Sequence, residues 1–258
     1  MTPHRTPRNT ANILRILTFL SEQQDAVAAQ TISQRLGIPR STVYELLGTL
    51  AEYGYAVPLS ISHRYSLGTR AFELSSAYSR QKPLTRLGQA LLRTLVDRIG
   101  EAAHLAVLQG TDVVYLAEER APHRPLLITE SGVRLPAAQT ASGRALMAWL
   151  PRAQIRAMYP HANALPDGAE GSPKTPAELL RMLGETAERG YATEIEEVTP
   201  GLASVVVPVL GRDSWPIAAM GITFELERHP DLDAALDWLL PPLRRFAAEL
   251  GRRLGAQA

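Results

Sequence analysis

Cysteine is absent from this chain of 258 residues. Without a thiol the protein can form no disulfide, no thiolate zinc site and no cysteine nucleophile, and this composition is typical of a reducing compartment. Redox chemistry by the protein's own side chains is therefore not expected.

Long apolar runs are missing as well. No stretch of about eighteen consecutive apolar residues occurs, and the first eight residues, which include Arg5 and Arg8, lack the apolar segment that a signal peptide needs. We therefore expect a cytoplasmic protein that does not have a membrane as its partner.

Motifs for catalysis and cofactor binding are also missing. The sequence contains no Gly-x-Gly-x-x-Gly, no P-loop and no Gly-x-Ser-x-Gly, and its six histidines are scattered rather than paired at metal-ligand spacing. Ser142 precedes Gly143 without a nucleophile elbow, which favours helix capping over acyl chemistry. The adjacent Glu196 and Glu197 are expected on a solvated face rather than in acid–base catalysis. We expect no cofactor, no metal ion and no enzymatic activity.

The amount of apolar material present is enough for a substantial core. Hydrophobic residues make up 45% of the sequence, and the length exceeds that of one average domain, so two folded units are expected. The net charge is only +1, yet the first 70 residues hold seven arginines against four acidic residues. This mild positive excess suits a domain that faces phosphates, although many ordinary domains carry as much.

The first seventy residues have the periodicity of short helices. Asn9 or Thr10 can cap a first helix, whose apolar stripe continues to about Leu20. A second apolar pattern covers residues 29–48 and is broken at Gly37, where a sharp turn needs the positive φ that glycine adopts most readily. Two short helices packed across such a turn are typical of a helix-turn-helix.

The second of these helices is predicted to begin at Pro39, whose missing amide costs nothing at a helix start. Arginine and hydroxyl residues near the N-terminus of a recognition helix can reach phosphates and base edges in the major groove. The alternative is a three-helix scaffold that binds no DNA and whose polar face is solvated. The predicted DNA-contacting residues of this helix are Arg40, Ser41, Thr42, Tyr44 and Glu45.

Two short strands are predicted over residues 52–57 and 64–68, with a polar, basic tip over residues 59–64. A hairpin in this place after a helix-turn-helix is a wing, and its tip can contact phosphates or the minor groove. The alternative is an ordinary hairpin whose turn is polar. The candidate contact residues at the tip are Ser62, His63 and Arg64.

Residues 69–81 are compatible with a connecting helix that ends at Pro83. Its apolar side must be covered by its own domain or by the same helix of a second subunit, and dimeric DNA-binding proteins often use the second arrangement. We therefore expect a homodimer. The predicted domains are a winged helix-turn-helix over residues 1–68, a linker helix over 69–83 and a larger domain over 84–258.

The larger domain starts with a helical stripe from Leu84 to Ile99 that Gly100 closes, after which the apolar period becomes that of strands. A hairpin is predicted around Gly110. Antiparallel strands with helices at both ends predict an α+β domain of the sensory kind rather than a parallel nucleotide-binding sheet. The other predicted elements are strands over residues 125–129, 203–210 and 217–225, a helix over 142–150, a helix that the capping box at Thr175 opens and that ends near Gly190, and a closing helical stretch over 231–254 interrupted at Pro241 and Pro242.

Five segments carry a resemblance to a known family. They are Gly37-Ile-Pro-Arg-Ser-Thr-Val-Tyr-Glu-Leu-Leu, Arg64-Tyr-Ser-Leu-Gly, Leu135-Pro-Ala-Ala-Gln-Thr-Ala-Ser-Gly-Arg-Ala-Leu-Met-Ala, Arg189-Gly-Tyr-Ala and Gly201-Leu-Ala-Ser-Val-Val-Val-Pro-Val. In this order they resemble the IclR family of bacterial transcriptional regulators, and their joint occurrence is specific although no single segment is. The resemblance implies a winged helix-turn-helix joined by a helix to a GAF-like effector-binding domain.

The resemblance also implies an effector pocket in the larger domain. Hydroxyl groups and freed amides at the start of the helix near Ser142 can hold a carboxylate, while Leu135 covers an apolar end. The alternative is that Leu135 belongs to the core and that Thr140 and Ser142 are only caps. The implied effector-binding residues are Leu135, Thr140, Ala141, Ser142, Gly143, Glu194, Ser204, Gly221 and Thr223.

Four positions depart from what is common in the family. Ser204 stands where many members have cysteine, and Val206 stands where a small alanine is common. Gly221 and Thr223 replace serines of members that bind very small acids. Fewer hydrogen bonds and more space at this spot favour a larger acid, aromatic acids included.

These observations predict a sequence-specific DNA-binding regulator, a dimer or a tetramer, whose operator affinity changes when a small carboxylate or a related metabolite binds. A repressor is expected rather than an activator. Two alternatives stay open, namely a small-molecule-metabolising enzyme with an accessory winged-helix domain and a DNA-binding protein without an effector.

Overall fold

The computed structural model describes residues 8–23, 25–59, 63–74, 83–125, 127–129, 131–211 and 214–255. The chain divides into two compact units, Met1–Gln81 and Lys82–Ala258, and each unit encloses its own buried apolar core. Of the linker helix predicted over 69–83, residues 69–74 are helical and residues 75–82 lie outside the described part of the chain. Pro83 is the first residue of the next helix, and the predicted end of the linker helix before it stays a prediction.

Short helices and a three-stranded antiparallel sheet form the described part of the N-terminal unit. The sheet has the strand order β1-β3-β2. Ile32 and Val43, from the second and third helices, are fully buried between the helices and the sheet. The elements are α1 (Arg8–Ser21), β1 (Val27–Ala28), α2 (Ala29–Leu36), α3 (Arg40–Glu52), β2 (Ala56–Leu59) and β3 (Arg64–Leu67).

The apolar stripe of α1 packs onto this core, and Ile16 and Leu20 are both buried there. The helix is already formed at Arg8, so Asn9 and Thr10 lie inside it. The prediction that Asn9 or Thr10 caps α1 is therefore wrong, because the apolar period marks the buried face of a helix more sharply than it marks the helix start.

The turn between α2 and α3 follows the sequence prediction. Gly37 has a left-handed φ of +63°, and its amide and that of Ile38 both donate to the carbonyl of Ser33. A Cβ at this φ would be strained, so glycine is the residue that ends α2 at little cost. Helix α3 then begins directly after Pro39. The structure confirms the helix-turn-helix.

The wing is present, but its first strand is displaced from the predicted residues 52–57. Helix α3 continues to Glu52, and Gly54, with a φ of +76°, makes the turn before β2 starts at Ala56. Strands β2 and β3 then pair antiparallel, from Ala56 opposite Leu67 to Leu59 opposite Arg64. The strand was predicted too early because the aromatic residues after α3 favour a strand, whereas the leucines near the end of α3 extend the helix to Glu52.

A six-stranded antiparallel sheet is the centre of the C-terminal unit, in the order β6-β5-β4-β9-β8-β7. Its elements are α4 (Pro83–Ile99), β4 (Ala102–Gln109), β5 (Asp112–Arg120), β6 (Arg134–Pro136), α5 (Ala141–Met147), α6 (Arg152–Met158), α7 (Pro176–Arg189), β7 (Ala192–Ile195), β8 (Leu202–Leu210), β9 (Pro216–Glu225) and α8 (Leu232–Gly255). Helices α4 and α8 pack on one face of the sheet, and α5, backed by α7, packs on the other. This arrangement confirms the predicted α+β class and the antiparallel sheet.

The strand that pairs with the outer edge of β5 is not the predicted one. Residues 125 and 127–129 form no strand, whereas β6 pairs with β5 through Leu135 opposite Val113. Pro125 has no amide to give to a ladder, and Gly132, with a φ of +93°, makes the turn that returns the chain to β5. The strand predicted over residues 125–129 is therefore wrong.

Helix α8 is continuous through Pro241 and Pro242, so the predicted interruption is also wrong. Each proline removes the donor to the carbonyl four residues earlier, and these carbonyls belong to Asp237 and Trp238, whose side chains are exposed. Water can satisfy both carbonyls on that side. On the opposite side Leu239 and its buried leucine neighbours hold both halves of the helix to the sheet.

Candidate functional sites

One side of α3 is apolar and buried, and the opposite side is polar. Val43 and Leu47 are fully buried. The Arg40 guanidinium lies 5.6 Å from the centre of the Tyr44 ring, and its Nη2 is 3.4 Å from the Tyr44 hydroxyl oxygen. The five predicted contact residues of this helix therefore share one polar surface at its N-terminal half. Arg40, Ser41, Tyr44 and Glu45 are exposed, and Thr42 is half-buried.

The described part of the wing tip is polar too. His63 adopts a left-handed φ of +50° in the turn, and Arg64 is exposed at the start of β3. Arg64 Nη1 donates to the carbonyl oxygen of Ala26 at 3.5 Å, so its guanidinium lies beside the residue that precedes β1. Ser62, the third predicted residue of the tip, lies outside the described residues.

In the C-terminal unit, three of the predicted effector-binding side chains lie side by side on neighbouring strands. The register pairs Glu194 with Ser204 across β7 and β8, and Ser204 with Thr223 across β8 and β9. One row along, Gly221 lies opposite His104 of β4. Since side chains alternate between the faces of a sheet, this register brings all five positions to the face that α5 covers.

These side chains form a continuous buried chain of polar contacts. Ser204 Oγ donates to Glu194 Oε1 at 3.0 Å and lies 3.0 Å from Thr223 Oγ1. Thr223 Oγ1 is 3.5 Å from His104 Nδ1, and His104 Nε2 is 3.1 Å from Ser142 Oγ. The chain therefore joins α5 to four strands of the sheet, β4, β9, β8 and β7, and we call Ser142, His104, Thr223, Ser204 and Glu194 the polar cluster.

Two amides at the start of α5, those of Ala141 and Gly143, already donate to the protein's own oxygens. Thr140 caps the helix, since its Oγ1 accepts from the Gly143 amide at 3.0 Å. Glu194 Oε2 accepts from the Ala141 amide at 3.4 Å. Ser142 lies in the first turn and does not cap, so that part of the sequence prediction is wrong. A carboxylate that binds here must therefore compete with Glu194 for the Ala141 amide.

The His104 ring lies directly over residue 221, which accounts for glycine at this position. A Cβ at residue 221 would be 2.3 Å from His104 Nε2 and 2.8 Å from a methyl group of Val206. The space that this glycine was expected to provide for a larger acid is therefore filled by the imidazole. Leu135 is half-buried on β6 and packs against the apolar residues around α5, outside the hydrogen-bonded part of the cluster.

Burial sets the charge of the polar cluster. It lowers the pKa of His104 to about 4, which makes the ring neutral at pH 7. Burial also raises the pKa of Glu194 to about 7, against the opposing effects of the Ser204 hydrogen bond and of Arg144. Near neutral pH, Glu194 is therefore the residue of the polar cluster whose charge changes most readily.

Two aromatic or basic residues of this region were missed by the sequence prediction. His104 sits in the first strand of the sheet, and Tyr115 of β5 stands edge-on to it, with ring centres 5.3 Å apart and planes at 74°. Burial raises the pKa of the Tyr115 phenol. The signal that could have found His104 is its position among the apolar residues of a strand that is buried on both faces.

A buried ion pair holds α5 to the end of β7. The Arg144 guanidinium donates to both carboxylate oxygens of Glu197 at 2.8 Å and to the carbonyl of Thr193 at 2.7 Å. The Arg144 and Glu197 side chains are only 2% and 8% exposed. The expectation of a solvated face is therefore wrong for Glu197, whereas Glu196 is exposed and accepts from the Gly201 amide.

Neither a metal centre nor a membrane span is found in the described ranges. Among the described residues no group of three or more histidine or acidic side chains could hold a metal ion. In the same part of the chain no helix is long and apolar enough to cross a membrane.

Comparison with known sequences matches both units to one family. The family described as "Bacterial transcriptional regulator IclR C-terminal" matches residues 76–252, and "IclR helix-turn-helix domain" matches residues 10–59. The chain is 30% identical over 251 residues to the HTH-type transcriptional regulator XynR of Escherichia coli, covering 95% of this chain and 96% of XynR. It is 26% identical over 220 residues to the transcriptional repressor IclR of the same organism, covering 84% and 80% of the two chains.

Comparison with solved structures gives the same fold. An IclR transcriptional regulator from Alicyclobacillus acidocaldarius has a TM-score of 0.83 at 23% identity and covers 95% of this chain and 97% of its own. An IclR homologue from Microbacterium hydrocarbonoxydans, solved with 4-hydroxybenzoate, has a TM-score of 0.78 at 22% identity, with 96% and 99% covered. At these identities the structures establish the shared fold of both units.

Proposed function

Because the chain belongs to the IclR family of bacterial transcriptional regulators, we propose that α3 reads the bases of an operator and that a small organic acid bound at the polar cluster controls this binding. The protein is a DNA-binding regulator under the control of a small-molecule effector. The observation that carries the proposal is the division of α3 into a buried apolar side and a polar side that presents Arg40, Ser41 and Tyr44.

The DNA-binding residues that we propose divide into two groups. On α3, Arg40 and the hydroxyl groups of Ser41 and Thr42 lie where the start of a recognition helix meets phosphates and base edges, and Tyr44 and Glu45 follow one turn later. On the wing, a positive charge at the tip suits the phosphate backbone. The wing residues are Ser62, His63 and Arg64.

The effector that we propose is a small carboxylate or a related metabolite, with aromatic acids as one class. The polar cluster offers the hydroxyl groups of Ser142, Ser204 and Thr223, and the Ser204 hydroxyl can donate to a carboxylate once it gives up its hydrogen bond to Glu194. An incoming carboxylate favours the protonated form of Glu194, because two anions in one buried site repel each other. The proposed site also takes in the backbone of Thr140, Ala141 and Gly143, with Gly221 under the His104 ring, and we assign Leu135 to its apolar end.

The chemical class of the effector has outside support. A homologue of the same fold was solved with 4-hydroxybenzoate, which is an aromatic carboxylate. Titration of this protein with 4-hydroxybenzoate and with glyoxylate, followed by its melting temperature, tests the proposed size of the acid. Stabilisation by glyoxylate-sized acids alone would contradict a larger, aromatic effector.

We further propose that the protein acts as a homodimer, or as a tetramer made of two dimers, and that it represses its target genes. Phe72 and Leu74, in the helical segment 69–74, are exposed large apolar side chains that a second linker helix over 69–83 would cover. An effector that changed the distance between two winged domains would change their fit to half-sites about one helical turn apart. A relative of 26% identity is named a transcriptional repressor.

One contact favours a second candidate function, that of a hydrolase with an accessory winged-helix domain. Ser142 Oγ and His104 Nε2 are 3.1 Å apart, which is the distance of a nucleophile from its base. The pKa of about 4 makes His104 a weak base, and both side chains are almost fully buried. Hydrolysis of p-nitrophenyl acetate that is lost in Ser142→Ala would support the hydrolase. A rate of hydrolysis that is unchanged in Ser142→Ala would exclude the hydrolase and favour the regulator. If no small acid raised the melting temperature, the protein would be a DNA-binding protein without an effector.

The experiment that tests DNA binding is fluorescence anisotropy with duplex DNA from upstream of the protein's own gene and with a scrambled duplex of equal length. Tight binding to the upstream duplex alone, weakening steeply with salt, is expected. Arg40→Ala should reduce the slope of log affinity against log salt by about one if Arg40 contacts a phosphate. Arg152→Ala, which removes the same charge from an exposed position on α6, is the matched control. Absence of binding at low salt would overturn the proposal.

A further inference from the structure

The C-terminal unit has a groove of about 780 Å³ whose lining residues do not include any residue of the polar cluster. It lies where β8 continues after its partner β7 has ended. The last pair between these strands is Ala192 opposite Val206, and in the described part of the chain no strand pairs with β8 on that side from Val207 to Leu210. The groove therefore follows an uncovered strand edge.

Small residues of α8 keep this groove open. A Cβ on Gly251 would be 2.5 Å from the carbonyl oxygen of Leu210, so the helix backbone approaches the end of β8 closely at this glycine. Ala247 and Ala248, one turn earlier, line the groove without filling it. Val207 and Trp149 add apolar and aromatic surface. The volume and the apolar lining are those of a site for a small molecule.

The charge at the groove is positive. Arg252 lines it and is paired with Glu249, whereas Arg244 lines it and forms no ion pair with any of the described acidic residues. Arg244 is held in place by a hydrogen bond of 3.0 Å to the carbonyl of Arg189 and by the Tyr191 ring, whose centre is 5.7 Å from its guanidinium carbon. One oriented cation thus stands beside an apolar trough.

We propose that this groove is a second ligand site, which binds an amphipathic organic anion with its apolar part against Trp149 and Ala248 and its charged head on Arg244. A guanidinium with an available donor pair is well suited to a carboxylate. A peptide strand is a poorer occupant, because Pro208 in the uncovered edge has no amide to donate to it. The site is separate from the polar cluster and does not depend on the effector proposed above.

The test uses Trp149 as the reporter in full-length protein. In a Trp215→Phe and Trp238→Phe background, both replaced side chains being about half exposed, Trp149 is the remaining tryptophan. Titration with octanoate is expected to change its emission with one-to-one saturation. Octanol and octyltrimethylammonium, which keep the chain but lose the negative charge, are expected to bind at least about tenfold more weakly.

Two variants locate the site. Ala248→Phe fills the groove from an exposed position and should abolish the change in emission, and Arg244→Gln should weaken octanoate binding about tenfold. Arg245→Gln, at an exposed neighbour that does not line the groove, should have no effect. The proposal would be overturned if octanoate still bound to Ala248→Phe, or if octyltrimethylammonium bound as tightly as octanoate. It would also be overturned if Ala248→Phe lost the ability to oligomerise, because a second copy of the chain would then occupy the groove.

Discussion

The two faces of the six-stranded sheet are built from alternate residues of the same strands, but they differ in the side chains that they bury. On the face under α4 and α8, Leu105, Met220 and Ile222 belong to a continuous apolar core. On the face under α5, their sequence neighbours His104 and Gly221 belong to a polar arrangement. A strand buried on both sides can therefore belong to an apolar core on one face and to a chain of buried polar contacts on the other.

The difference between the faces has an energetic side. An apolar core gains stability from every side chain removed from water, whereas buried polar groups stabilise only when each of them keeps a partner. Removing one partner on the polar face should therefore cost more free energy of unfolding than the hydrogen bond or ion pair itself contributes.

Arg144→Met should have the largest effect, a loss of about 3–5 kcal/mol in the free energy of unfolding, because it leaves the Glu197 carboxylate buried without its cation. Chemical denaturation measures the loss. The double variant Arg144→Met with Glu197→Leu should recover most of it. Arg181→Met, which breaks an exposed ion pair with Glu185, is the matched control and should cost at most about 0.5 kcal/mol.

An equal loss in the single and the double variant would contradict this prediction. It would mean that the packing of the arginine stem, rather than the unpaired carboxylate, accounts for the cost.

Glu194→Gln should change how stability depends on pH. The pKa of Glu194 is raised from 4.5 to about 7 in the folded state, so the folded state keeps a proton that the unfolded state releases. The unfolding free energy of the wild type should therefore fall relative to the variant as pH rises from about 4.5 to about 7, by about 3 kcal/mol in total. Urea denaturation at a series of pH values measures this difference.

The apolar face supplies the control for this pH dependence. Val205→Ala, on the other face of β8, should lower stability by an amount that does not vary over the same pH range. His104 should act in the opposite direction in the wild type. Its pKa is lowered from 6.5 to about 4, so its contribution is lost as pH falls through that range. A flat difference between the wild type and Glu194→Gln would show that the pKa of Glu194 is not raised in the folded state.

Gly221→Ala should cost about 1–3 kcal/mol, because the new methyl group meets the His104 ring. In a His104→Ala background the same substitution should cost much less, and a double-mutant cycle measures the coupling. Gly184→Ala is the control, since a Cβ there meets nothing within 4 Å in the middle of α7. It should be neutral or stabilise by up to about 1 kcal/mol.

Arg40→Ala should have the smallest effect on folding, within about 0.5 kcal/mol, because Arg40 is exposed on α3. Its effect on operator affinity should be much larger. Thermal unfolding and anisotropy on the same preparation separate the two quantities. A large loss of stability would place Arg40 among the structural residues instead.

Features fixed by a few neighbouring residues could be predicted from the sequence. The turn at Gly37, the hairpin at Gly110 and the cap at Thr175 were all identified, because each depends on contacts within about five residues. The long strands β8 and β9 were found from their unbroken β-branched and apolar runs.

Contacts between distant residues could not be predicted in this way. His104 meets a serine 38 residues away, and Arg144 meets a glutamate 53 residues away, so nothing near either residue in the sequence marks it as part of a site. Ser142 was assigned a capping role that Thr140 performs, because both hydroxyl residues lie close to the start of the same short helix. The resemblance to a family supplied Glu194 and Ser204, which local reasoning had not found.

The two prolines inside α8 have a consequence for hydrogen exchange. Residues 241 and 242 have no N–H to donate to the carbonyls one turn earlier. The segments of α8 before and after the prolines are therefore joined by fewer hydrogen bonds than two halves of an ordinary helix. We expect deuterium to enter the segment after Pro242 independently of the segment before Pro241. That later segment contains Ala247 and Gly251, so a ligand in the groove should slow exchange there and leave the first half of the helix unchanged.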